Sequence, residues 1–290
     1  MSEISTRTLR VPGATLTYDV RGALPTTSRP PLLMIGQPMG AAGFATLASH
    51  FPERTVVTYD PRGLGRSTRD DGHTENDPVV QAEDLHALIG ALGSGAVEVF
   101  ASSGGAVTGL ALVTAHPDDV ATLVAHEPPL LTVLPDADRA FAAEQAFQQT
   151  YHAKGFGAGM THFIAMSMWR GEFTDAYAAQ PAPDPASFGM PADDDGRRDD
   201  PLLSGVSNPV TRYRPDINAL RSAPTRLVIA AGVQSADTLT GRTAAALAEM
   251  LGLPLTIFPS HHGGFLGGEH GQGGEPEAFA AKLHEVLDTA

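Results

Sequence analysis

Short apolar runs, each closed by glycine, proline or a polar cluster, alternate along this chain with longer segments whose apolar residues recur at helical spacing. Pro31-Leu32-Leu33-Met34-Ile35, ended by Gly36, is continuous and predicts a strand covered on both faces. Similar runs at 55–60, 97–103, 120–126, 225–232 and 254–258 predict further strands. Leu9–Val11 and Ala14–Val20 flank the turn dipeptide Pro12-Gly13 and predict an opening antiparallel hairpin. Between the strands lie helical patterns. One is a short segment near 45–51. Another is opened by Asp77-Pro78, a cap followed by proline at the first helical position, and carries Val80, Leu85, Ile89 and Leu92 as its buried stripe. Others are a helix directly after Ser103, an alanine-rich helix ending at Leu251, and a closing helix over 276–287. Strands alternating with helices imply right-handed crossovers, and so an α/β fold with a mostly parallel sheet covered on both faces.

The alternation breaks after Glu127-Pro128-Pro129 and resumes only near 215. Helical patterns over 137–149 and 160–169 are followed by a stretch rich in Pro, Asp and Gly from Gln180 to Pro209, far longer than an ordinary connection. The expected organisation is therefore a core formed by 1–127 and 215–290, with 128–214 inserted as a helical lid.

Charge narrows the range of partners. Lys and Arg total 19 against 33 Asp and Glu, a formal net charge of −14, which repels polyanions and argues against a nucleic-acid partner. Asp193-Asp194-Asp195 and Asp199-Asp200 read as solvated loop charges, and no metal site is expected. The chain has no cysteine, in keeping with a reducing compartment, and no apolar run of membrane-spanning length; the expectation is a cytoplasmic protein, monomer or homodimer, with no membrane partner. The glycines of Asp60-Pro61-Arg62-Gly63-Leu64-Gly65-Arg66-Ser67 follow a strand, but no Gly-Lys-Ser/Thr comes after them, so a phosphate cradle is not expected.

The candidate chemistry centres on Val97-Glu98-Val99-Phe100-Ala101-Ser102-Ser103-Gly104-Gly105. A strand that turns sharply into a helix forces strain on the apex residue and requires small neighbours two positions to either side. Ser103 has Ala101 and Gly105 there, whereas Ser102 would have the bulky Phe100. Such a turn exposes the Ser103 hydroxyl and leaves the N–H of Gly104 at the positive end of the new helix, suited to an oxyanion. Glu127 and His262 also follow predicted strands directly, and chemistry in parallel sheets collects at the carboxyl ends of strands.

With these residues in place, nearly the whole chain resembles the α/β-hydrolase fold superfamily. The resemblance rests on the Asp60-to-Ser67 loop, the nucleophile elbow at Ser103, the mid-chain insertion, and Phe258-Pro259 followed by His262, Gly264 and Phe265. It implies Ser103 as nucleophile and His262, rather than His261, as general base. Many members carry the acid three residues after a Gly ending the strand that here closes at Gly232, but that position is Ser235 and Asp237 stands two residues later. The family's other acid position, after the preceding strand, holds Glu127; Asp237 stays open as the alternative. Ser102-Ser103-Gly104 and His126-Glu127-Pro128-Pro129 also resemble the zearalenone-type lactone hydrolases locally. The resemblance implies a second oxyanion donor at the Gln37 N–H, with Ile35 in the place of the family's usual histidine.

The function implied is cofactor-free hydrolysis of a small, neutral or apolar ester or lactone through an acyl-enzyme, with Tyr151, Met168 and Trp169 as candidate substrate contacts. A cofactor-free haloperoxidase-like perhydrolase and a non-hydrolytic binding or cyclisation protein on the same fold remain alternatives.

Overall fold

The apolar runs become the parallel part of a nine-stranded sheet in the computed structural model, which describes residues 4–26, 29–191, 193–271 and 273–289; the run at 254–258 lies at its edge, with only Phe258 buried. The strands are β1 (Ile4–Val11), β2 (Ala14–Arg21), β3 (Leu32–Gln37), β4 (Val56–Asp60), β5 (Thr68–Arg69), β6 (Val97–Ser103), β7 (Val120–His126), β8 (Arg226–Gly232) and β9 (Leu255–Phe258). Their order is β1-β2-β4-β3-β6-β7-β8-β9, with β5 beside β2. β2 pairs antiparallel with both β1 and β4, and every neighbour from β4 to β9 is parallel. The chain therefore goes from β3 outward to β4 and then back across to β6. That reversal opens a crevice at the carboxyl ends of β3 and β6, where sheets of this type bind ligands.

The helices are α1 (Ala45–Ser49), α2 (Pro78–Leu92), α3 (Gly104–Ala115), α4 (Ala137–Lys154), α5 (Phe156–Met168), α6 (Asp175–Ala178), α7 (Asn208–Thr211), α8 (Ile217–Ser222), α9 (Leu239–Leu251) and α10 (Pro276–Asp288). Alternation along each strand supplies both faces of the sheet. Leu33 and Ile35 pack with Leu85 of α2, Leu110 of α3 and Leu247 of α9; Leu32 and Met34 pack with Leu47 of α1 and Phe279 and Leu283 of α10. α2 starts as its sequence predicts, with the Asp77 carboxylate accepting from Val79 N at 2.8 Å and Pro78 in the first turn. Among the described residues no helix is long and apolar enough to cross a membrane.

Several elements differ from the sequence expectation. β1 starts at Ile4 rather than Leu9, because its full-length pairing with β2 forms the strand even though most of its side chains are exposed and show no apolar alternation. The short helices α6 and α8 and the two-residue β5 carry too few residues for a periodicity to be seen. The Asp60-to-Ser67 loop is held by its own side chains. Asp60 accepts from Ala41 N at 2.8 Å and from Arg66 Nε at 2.7 Å, and Ser67 Oγ donates to Asp60 O at 2.6 Å. This network pins the segment that follows Gln37.

Residues 128–214 contribute a separate apolar cluster over the sheet, in which Leu131, Phe147, Tyr151, Met166, Phe173 and Leu203 are buried together. The acidic run at 193–200 meets arginines there: Arg198 pairs with Asp194 at 2.7 Å and Arg197 with Asp199 at 3.1 Å.

Candidate active site

Ser103 is the apex of the strand-to-helix turn. It closes β6, precedes α3 directly and has φ 57° and ψ −130°, a left-handed backbone that costs a non-glycine residue strain. The next two residues must be glycine for a steric reason. A Cβ on Gly104 would lie 2.7 Å from the Gln37 carbonyl oxygen, and one on Gly105 would lie 2.6 Å from that of Ile35. β3 thus runs so close to the start of α3 that no side chain fits. Ser102 is buried instead, with its hydroxyl 3.3 Å from Nδ1 of His126.

Glu127 is the first residue after β7. It is fully buried and also has a positive φ, 50°. A buried carboxylate needs its lone pairs occupied, and here they are. Oε1 accepts from Gly232 N at 2.9 Å, while Oε2 accepts from the Thr240 hydroxyl and from His262 Nδ1, the latter at 2.7 Å. Burial pushes the Glu127 pKa upward, but the charge and hydrogen bond of His262, the nearby His126 and the Thr240 hydroxyl outweigh it and hold the carboxyl well below its ordinary range. For His262, burial favours the neutral ring, and the charge and hydrogen bond of Glu127 overcome it, so its pKa lies above the ordinary histidine value. With Nδ1–H donated to Glu127, Nε2 is the basic nitrogen.

The rival residues are placed differently. His261 has both ring nitrogens on backbone, Nε2 3.2 Å from Gly273 O and Nδ1 accepting from Gly263 N at 3.1 Å. Asp237 is exposed and engages through its carbonyl, which accepts from Gly171 N at 2.8 Å. Gly232 was read only as the end of its strand, and neither its hydrogen bond to the carboxylate nor that of Thr240 was legible in the sequence. Both lie more than 100 positions from Glu127.

Ser103, Gly104, Gln37, Thr240 and His262 share the wall of one cavity of about 510 Å³. Gln37 stands opposite Ser103 in the β3–β6 register. Of the expected substrate contacts, Met168 lines this cavity, together with Phe147, Phe163 and Met166. Tyr151 and Trp169 do not. Tyr151 is buried where α4 crosses α5, so close that a Cβ on Gly159 would come within 2.5 Å of its own Cβ; its hydroxyl accepts from Asp200 N at 3.0 Å. Trp169 stands edge-on to Tyr177 and donates its indole N–H to Glu172 O at 3.0 Å. Sequence reasoning also missed a polar stretch of wall: buried Glu144, which accepts from Thr211 and Arg212, and Gln148, which donates to Asn208 at 2.6 Å.

A protein-family model described as alpha/beta hydrolase fold matches residues 29–230. The uncharacterized hydrolase YraK of Bacillus subtilis (strain 168) is 29% identical over 290 residues, covering 98% of this chain and 97% of that protein. Among solved structures, a thermophilic esterase from Thermogutta terrifontis aligns at 19% identity with a TM-score of 0.62, over 99% of this chain and 98% of its own. The epoxide hydrolase VrEH1 from Vigna radiata aligns at 14% identity with a TM-score of 0.65, over 99% and 98%. At such identities the likeness to these two is one of fold, and their two named activities differ.

Proposed function

The chain belongs to the α/β-hydrolase fold family, and from that premise we propose that it is a serine hydrolase cleaving a small carboxylic ester or lactone through an acyl-enzyme. The observation that carries this reading is the pairing of His262 Nδ1 with the buried carboxylate of Glu127 at 2.7 Å, in the same cavity as the strained Ser103. A carboxylate at the nucleophile position would suit epoxide or carbon–halogen chemistry; the serine favours acyl transfer.

In the proposed reaction His262 Nε2 takes the Ser103 proton as Oγ attacks the carbonyl carbon. The N–H groups of Gly104 and Gln37 receive the oxyanion. Glu127 stays ionised throughout, orients the ring and stabilises the imidazolium. The imidazolium then protonates the leaving alkoxide. Water, deprotonated by the same nitrogen, releases the acid and restores Ser103.

Phe147, Phe163, Met166 and Met168 make an apolar wall for a neutral substrate, and residues 128–214 act as the lid that carries it. The experiment is hydrolysis of a panel of short p-nitrophenyl esters and aliphatic lactones by wild type and Ser103→Ala. Ester or lactone turnover that falls by about 10⁶ in the variant is expected; turnover that persists in Ser103→Ala would overturn the assignment.

A further inference from the structure

α3 carries Ser103 at one end, and at its other end, about 18 Å away by helical rise, two histidines and two carboxylates meet. Glu83 and His86 lie one turn apart on α2, His116 caps α3, and Asp119 sits in the turn before β7. His86 Nδ1 is 2.6 Å from Asp119 Oδ2, and His116 Nε2 is 2.9 Å from Glu83 Oε1. The two imidazoles stack with centroids 3.8 Å apart and planes at 8°. Donor atoms of His86, His116 and Asp119 all lie within 4.8 Å of one another. Ester hydrolysis makes no use of this group.

We propose that His86, His116 and Asp119 bind one transition-metal ion of the Zn²⁺ class, with Glu83 orienting His116. Two imidazoles and one carboxylate suit a borderline cation and not Mg²⁺ or Ca²⁺, which prefer all-oxygen shells. Glu83 takes the Nε2–H of His116 and leaves Nδ1 with its lone pair, as an outer carboxylate does for a metal-bound histidine. Tetrahedral Zn²⁺ with bonds of 2.0–2.1 Å needs its donors about 3.4 Å apart. The His86–Asp119 pair, now 2.6 Å apart, therefore opens while His116 swings toward it and the stacked rings tilt, a movement accessible to side chains that are half-buried or exposed. The ion displaces the proton now shared between His86 and Asp119. It sits at the carbonyl end of α3, where the helix dipole favours positive charge, and the net charge of −14 raises the local cation concentration. The consequence is a clamp between α2 and the turn leaving α3.

The test uses the full chain, stripped with EDTA, titrated calorimetrically with ZnCl2 and melted with and without it. Wild type binds one equivalent and melts higher with zinc, whereas MgCl2 has no effect. His86→Ala and His116→Ala lose the equivalent, and Glu83→Gln retains it with 10–100-fold weaker affinity. Asp119→Asn, nearly the same shape, weakens binding without zinc-free unfolding and covers the case in which a histidine variant fails to fold. His262→Ala keeps the equivalent, separating this site from the cavity. No saturable zinc in wild type, an unchanged affinity in Asp119→Asn, or binding lost with His262→Ala would overturn the proposal.

Discussion

Two histidines face one carboxylate and are driven in opposite directions. His262 donates to Glu127 and is held above the ordinary histidine pKa. His126 is wholly buried among Phe100, Phe258 and Phe279. Its Nε2 is 3.7 Å from Glu127, too far for a good hydrogen bond, so burial dominates and pushes its pKa down to about 4. At neutral pH His126 therefore adds no second positive charge behind the acid. The sign for catalysis follows: His262 serves as a base only when neutral, so kcat/KM rises with pH through an inflection above about 6.5. In Glu127→Gln the raising charge is gone, so the inflection moves down while kcat falls on the order of 10⁴-fold, as when a triad acid becomes its amide. A pH profile of both proteins checks this; an inflection unmoved by Glu127→Gln contradicts it. At this scale Ser103 was legible because Ala101 and Gly105 mark the turn locally. The Thr240 hydroxyl was not, because only the fold brings it to Glu127.

The strand-to-helix turn is the element on which the account depends, and its glycines are not interchangeable with others in the chain. Gly105→Ala puts a Cβ against the backbone of Ile35 and Gly36, at 2.6 and 2.7 Å, with no flexible side chain to yield. Overpacking of this kind costs about 1–3 kcal/mol, and any shift of α3 carries Ser103 with it, so both melting temperature and kcat are expected to drop. Gly90, inside α2, has open space around a new Cβ, and Gly90→Ala should stabilise by about 0.4–1 kcal/mol. Thermal melts of the two variants moving in the same direction would contradict the contrast. The sequence revealed elements where burial left a visible pattern, the unbroken apolar run of β3 and the helical spacing of α2. It missed β1 before Leu9, whose polar edge residues are held by pairing with β2, and it missed helices as short as α6.

Across the molecule, α9 links the helical layer to the acid. Its Thr240 donates to Glu127, and two residues on Arg242 grips Asp136 at the start of that layer through both terminal guanidinium nitrogens, Nη1 also donating to Gly171 O at 2.8 Å. Both partners are largely buried, with side chains 13% and 6% exposed. Breaking such a pair costs about 3–5 kcal/mol. Arg242→Ala is expected to speed limited proteolysis within residues 128–214 and to raise KM; a cleavage pattern identical to wild type would contradict the link. The alternation of elements announced a mostly parallel sheet. It did not give the strand order, because β3, β4 and β6 are all almost wholly buried and their sequences do not state that β4 lies outside β3. The reversal that places Ser103 beside Gln37 follows from that order. The central claim, an activated Ser103 served by Glu127 and not by Asp237, is tested most directly by labelling with a fluorophosphonate and mapping the modified peptide in wild type, Glu127→Gln and Asp237→Asn. Label on Ser103 that forms much more slowly in Glu127→Gln and unchanged in Asp237→Asn is the expected result. Label on another residue, or a rate that depends on Asp237 in place of Glu127, would contradict it.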